Sequence, residues 1–171
     1  MKIEQVIANY LASPVDRRAA TLDKMLLCPD EAFHALMTFQ GPYPRHTHPV
    51  DVFPDYLSPL LSELLANHPH LLIGRDLTRM VPGQRWILIA AVMSSGSSRF
   101  AEVVSNALRD RSMTVRAIAV EAIARCPFLR IPEARPQLQK LLMLKSMSYC
   151  RDKIQQALDA LDKECQNSAR R

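Results

Sequence analysis

The side chains with most ligand character are four histidines in two His-x-His pairs. These are His46-Thr47-His48 and His68-Pro69-His70, with Asp51 and Asp55 between them. Neutral imidazoles and carboxylates are suitable Zn²⁺ ligands, and three or four converging on one point would build a site. Both pairs fall at proline-rich turns, where polar residues are ordinarily exposed. No H-E-x-x-H motif and no C-x-x-C pair completes the set, so neither a metal centre nor a cofactor is expected. Cys28, Cys126, Cys150 and Cys165 read as reduced thiols on helix faces, with Cys165, in the polar tail, the most exposed. There is no G-x-S-x-G, no phosphate loop and no G-x-G-x-x-G, and Asp51 and Asp55 lack the context of an acid/base dyad. A non-enzymatic protein is expected.

Charge is the second chemical signal. Residues 1–84 carry 7 Lys+Arg against 9 Asp+Glu, whereas residues 85–171 carry 15 against 8. A basic half of this kind suits an acidic partner, protein or nucleic acid. Arg109 and Arg111 flank one turn, and Arg130 and Arg135 lie in or beside another. Arg125, Lys140, Lys145 and Arg151 belong to the same half. Turns aligned on one edge of a helical array would form a stripe able to track phosphates.

These residues are carried on helices. With 171 residues, 48% hydrophobic content and four glycines, the chain can bury a real core. Its longest apolar run, Trp86 to Met93, is far short of a membrane span. The N-terminus has no continuous apolar stretch of the secretory type, and the cytoplasm is the expected compartment. Ile3, Val6, Ile7, Tyr10 and Leu11 follow helical spacing. Ser13-Pro14 predicts a restart, with Leu22, Met25 and Leu26 buried, and Asp30 is placed to cap a helix bearing Phe33, Leu36 and Met37. Residues 41–54 hold four prolines and form the longest irregular segment. Loops of that length are often functional.

Helical stripes then recur. Leu57 to Leu65 is predicted to be capped by Asp55 or Ser58. Ile73, Leu77 and Met80 predict a further helix, and Trp86 to Met93 one buried on all sides. Ser94 to Ser98 is a break supplying a cap. Stripes at Phe100–Leu108, Leu138–Leu142 and Ile154–Leu161 follow. No segment has the alternation of a strand.

One pattern repeats along these helices: Gln84-Arg85-x-x-Leu88-x-x-Ala91-Val92, Val115-Arg116-x-x-Ala119-x-x-Ala122-Ile123 and Cys150-Arg151-x-x-Ile154-x-x-Ala157-Leu158. The arginines lie 31 and 35 residues apart. Small Ala119 and Ala122 allow close helix approach, while Val115 and Ile123 fill a seam between repeats. Together with Asp110 upstream, the pattern resembles the HEAT repeat, best from about Pro82 to Lys163. The resemblance implies an all-α fold, a short right-handed α-solenoid of antiparallel helix pairs. It would be one domain over 1–171, with a cap at 1–40, the Pro-rich loop at 41–54, repeats at 55–163 and a polar tail at 164–171. It also implies an aspartate–arginine ladder, in which Asp110 pairs with Arg116 or with a neighbouring repeat's Arg85 or Arg151. The flanking turns lack an obvious matching aspartate.

Solenoids mostly hold other macromolecules. The expected function is binding of a protein partner, as an adaptor, an assembly factor or a toxin-neutralising inhibitor. The chain would be a monomer or weak homodimer. Glu121, Arg125, Gln155 and Asp159 are outward positions of second helices, and Arg45, His46 and His48 offer an added contact element in the Pro-rich loop. The alternative is nucleic-acid binding by the basic half. Fold analogy extends that to HEAT-like DNA glycosylases. Those enzymes use aromatic residues in a cleft, whereas the sole tryptophan, Trp86, is expected to be buried.

Overall fold

The computed structural model describes residues 3–12, 19–38 and 57–168, and among them every regular element is helical. The chain divides into two compact units, Met1–Asp76 and Leu77–Arg171.

The first unit contains α1 (Ile3–Ala12), α2 (Ala19–Leu26), α3 (Pro29–Thr38) and α4 (Ser58–Asn67). Most of the predicted apolar stripes form its core: Val6, Ile7, Tyr10 and Leu11, then Met25, Phe33 and Leu36, then Leu60, Leu61, Leu64 and Leu65 are all buried, whereas Leu22, Leu26 and Met37, expected on the same stripes, are half-buried. Helix α1 packs on α2 and α3, and α4 packs on the same two. Arg75 lies over the Phe33 ring at 4.7 Å from its centroid, a cation–π contact. The predicted Ser13-Pro14 restart and the 41–54 loop lie outside the described residues.

Four local expectations are corrected here. The carbonyl oxygen of Cys28 accepts from Ala32 N–H, which makes Cys28 the capping position of α3. Asp30 instead stands inside the first turn, where its charge still suits the helix dipole. Ser58 does not cap α4: it is buried within the helix, and its carbonyl accepts from the Ser62 hydroxyl at 2.7 Å. Ile73, Leu77 and Met80 do not share a helix. The chain makes 3-10 turns at Pro69–Leu71 and Leu77–Arg79. Between them Gly74 takes φ 81°, a left-handed conformation through which an α-helix cannot continue. Ile73 is left 44% exposed. Cys28, expected on a packed face, is exposed, whereas Cys126 and Cys150 are buried, and all three are free thiols.

The second unit contains α5 (Pro82–Ser94), α6 (Ala101–Ala107), α7 (Met113–Arg125), α8 (Arg135–Met143) and α9 (Arg151–Ser168). Helix α7 is central, packing against α5, α9 and α6, while α9 packs also on α8. The repeated pattern occupies these contacts. Val115, Ala119, Ala122 and Ile123 are buried to 1% exposure or less, as are Leu88, Ala91, Val92, Ile154 and Ala157. Each buried aliphatic side chain of the Val/Leu/Ile type contributes about 1.5–3 kcal/mol. The alanines contribute by what they omit, since their methyl groups let backbones come close.

Helix α5 starts with Pro82 at its first positions, and Gln84 Oε1 accepts from Val81 N–H at 3.2 Å. Val81 has no polar side chain, so only the returning half of a capping box forms. Helix α5 is not buried on all sides: Trp86, Ile87, Ala90 and Met93 are half-buried. Its principal neighbour in this unit, α7, covers the face of Leu88, Ile89 and Val92. The Ser94–Ser98 break is present, with Gly96 at φ 66°. No serine side chain there caps α6. Ser95 Oγ turns back to the Val92 carbonyl at 2.8 Å, and α6 is entered through a 3-10 turn at Ser98–Phe100.

Candidate functional site

Among the described residues, the densest polar constellation is centred on Asp110, in the turn before α7. Arg85, one turn into α5, grips its carboxylate with a two-pronged pairing, Nε to Oδ2 at 2.7 Å and Nη2 to Oδ1 at 2.8 Å. Oδ1 also accepts from Ser112 N–H at 2.7 Å, closing the turn from which α7 starts. The third Arg85 nitrogen, Nη1, donates to the Met80 carbonyl. Burial alone would push the Asp110 carboxyl up. It is outweighed by the Arg85 hydrogen bonds, the Ser112 N–H and the charges of Arg85 and Arg116, so the carboxyl is held below the ordinary range.

Arg116 does not meet that carboxylate. Its Nη1 instead donates to the carbonyl oxygens of Asp110 at 2.7 Å and Arg111 at 3.1 Å. Its Nε is buried with no partner among the described residues. The reason is legible in register. Six residues before Arg85, Arg116 and Arg151 stand Arg79, Asp110 and Lys145, so only one of the three turns has an acid. Among the described residues a single aspartate–arginine pair of this kind forms, from Arg85 of α5 to Asp110 before α7. Where the next rung would receive Arg116, the chain has lysine.

A second polar row joins α7 to α9. Glu121 accepts from Lys153 of α9 and from Arg125, one turn on, at 3.3 Å. The Lys153 hydrogen bond is the chief cause that lowers the Glu121 carboxyl below its ordinary range, against the opposing effect of burial. At the far end of α7, Arg130 donates Nε to the Ile123 carbonyl and Nη2 to the Ala124 carbonyl, both at 2.9 Å, and Nη1 to Glu164 of α9 at 2.9 Å. A guanidinium on the last carbonyls of a helix satisfies orphan acceptors and suits the negative end of the dipole. Gln155 and Asp159 bond to each other along α9 at 2.9 Å and are exposed.

The proposed phosphate stripe is therefore largely engaged within the chain. Arg130 holds the end of α7, and Arg135 is ion-paired with Asp162. With the Gln137 amide oriented so that its oxygen faces the guanidinium, Arg109 donates to it from Nε and Nη2 at 3.2 and 2.9 Å. Arg111 is exposed, with no side-chain partner among the described residues. Arg125 is two-thirds exposed despite its Glu121 contact.

The candidate contact element Arg45, His46 and His48, and with it Asp51 and Asp55, lies outside the described residues. The rings of His68 and His70 meet edge to face, 5.8 Å between centroids, rather than converging on a point. Among the described residues no group of three or more His, Cys, Asp or Glu has the arrangement of a metal site.

Two features had not been anticipated. Lys153 as the partner of Glu121 depends on the offset between α7 and α9, which no local spacing encodes. The exposed apolar residues Val81, Met113, Met143, Leu144 and Tyr149 all lie at helix ends or in connections. Their signal was present as apolar residues falling off the helical stripes. No family model, curated protein or solved structure matches this chain.

Proposed function

We propose that the chain is a non-enzymatic α-solenoid module of HEAT-like helix pairs that binds a protein partner, as an adaptor, assembly factor or inhibitor. The observation that carries this reading is the serial packing α5–α7–α9. The three helices with the repeated arginine pattern lie side by side, cross-linked by Arg85–Asp110 at one end and Arg130–Glu164 at the other. Such a row presents its outward residues as one extended surface. Exposed Arg125, Lys153, Gln155 and Asp159, with Glu121 only 18% exposed in its pairing with Arg125 and Lys153, make that surface mixed in charge, which suits a specific protein better than a polyanion.

Nucleic-acid binding remains the second reading because of the basic balance of residues 85–171. It is weakened by the intrachain partners of Arg109, Arg130 and Arg135. Retrieval of partners on the tagged full chain from native lysate, with and without nuclease, separates the two. A stoichiometric protein surviving nuclease is the expected result. Co-purified nucleic acid that disappears with nuclease, with no protein retained, would replace this reading by the second.

A further inference from the structure

We infer that the edge of the second unit where α5, α7 and α9 begin is a docking surface for an acidic polypeptide segment with apolar anchors. This rests on the protein-binding reading and specifies its partner. The starts of the three helices are tied together. Arg85 joins α5 to the turn before α7, Arg116 closes that turn from within α7, and the connection Lys145–Cys150 packs on α7 as it leads into α9.

The described residues of the second unit expose five large apolar side chains, and all belong to this edge. Val81 precedes α5 and is 61% exposed, Met113 opens α7 at 42%, and Met143, Leu144 and Tyr149, at 83%, 44% and 60%, flank or lie in the connection before α9. Solvent-facing apolar groups gathered in this way mark an interaction site. Beneath Val81 and Met113 the turns before α5 and α7 are held by the Asp110 constellation.

Charge decides the kind of partner. Arg111, Lys145 and Arg151 are exposed among these apolar groups, three cations against one exposed acid, Asp152 in the first turn of α9. The acid nearest the centre, Asp110, is already neutralised by Arg85. The edge is thus cationic as well as apolar, which selects acidic residues interspersed with aliphatic or aromatic ones. A second copy of this chain would bring the same positive edge and be repelled. Single-stranded nucleic acid would need stacking platforms, and only Tyr149 is aromatic here. Three helices packed at about 8–10 Å span about 20 Å, the length of roughly six residues of extended chain.

The test is selection of displayed random peptides on the full chain. Enriched peptides are then titrated against wild type, Met113→Ser/Tyr149→Ser and Arg111→Glu/Lys145→Glu. These positions are exposed, so both variants should keep the wild-type helical spectrum and melting temperature. Enriched peptides should combine Asp or Glu with apolar residues, and each double variant should weaken them about tenfold or more, at least 1.4 kcal/mol. No enrichment, enrichment of peptides without acids, or equal binding to the variants would overturn the inference. So would variant-sensitive binding of phosphatidylserine vesicles in the absence of any peptide, or self-association abolished by the same changes. A lysate protein retained equally by wild type and both variants would overturn the edge while leaving the protein-binding reading intact. Failure of wild type to retain any protein, with acidic peptides still docking at the edge, would do the reverse.

Discussion

Asp110→Ala tests the long-range polar contact that joins α5 to the turn before α7. The side chains of Arg85 and Asp110 are only 10% and 13% exposed. Exposed ion pairs are worth about 0–1 kcal/mol, whereas removing one partner of a buried pair costs about 3–5 kcal/mol because a charge is left uncompensated. At roughly one-tenth exposure the pair lies nearer the second limit, and the Ser112 N–H loses its acceptor as well. We expect Asp110→Ala to cost about 3 kcal/mol, and Arg85→Ala about 2 kcal/mol, since Asp110 would retain Ser112 N–H and the charge of Arg116. The coupling between them in a double-mutant cycle should be about 1.5–2 kcal/mol. Urea unfolding followed by Trp86 fluorescence is the assay, because Trp86 adjoins Arg85 and is half-buried in this unit.

The same contact fixes a pH dependence. The folded Asp110 carboxyl is held below its ordinary range, so its contribution is complete above the unfolded value of about 3.9 and is lost as pH falls through the folded value. Wild type and Asp110→Ala should therefore converge in stability in that acid window. A cost under about 0.5 kcal/mol at pH 7, a coupling near zero, or a cost that does not shrink in acid would refute the reasoning.

Three further outcomes follow from the packing. Ala122 has no exposure in the last turn of α7, so Ala122→Leu should overpack and cost about 1–3 kcal/mol in urea unfolding; an unchanged midpoint would remove it from the helix contact. Arg130→Ala removes two carbonyl caps and an ion pair, and should cost about 1–2 kcal/mol, with amide exchange quickening in the last turn of α7 ahead of the rest. Arg130→Lys should recover only part of that, because an ammonium cannot span the same acceptors. Gly74→Ala meets no atom within 4 Å, so its cost of about 1 kcal/mol arises from the positive φ alone; a neutral substitution would show that the turn can relax.

The apolar stripes were readable because helical period is a local property. Val6 to Leu11, Leu60 to Leu65, Val115 to Ile123 and Ile154 to Leu161 are buried as their spacing implies. Spacing failed where short-range chemistry competes with it. Ile73, Leu77 and Met80 fit a helix, but Pro69 and Gly74 impose turns that three apolar residues cannot override. Ser58 and Asp30 are good capping types, yet they sit one and two positions, respectively, past the capping residue of their helices.

By itself the sequence determined the all-α class, the buried faces of most of the described helices, though not that of α5, and which arginine, alanine and aliphatic positions recur, since each depends on neighbours three or four residues away. The tertiary structure alone decided which arginine meets Asp110 and that Lys153 finds Glu121. It also decided that Arg109, Arg130 and Arg135 are engaged within the chain, whereas Arg111 is left to solvent. Those outcomes depend on the lateral offset between packed helices. That offset is set by how small and branched side chains interlock across a seam, and no periodicity along one helix encodes it.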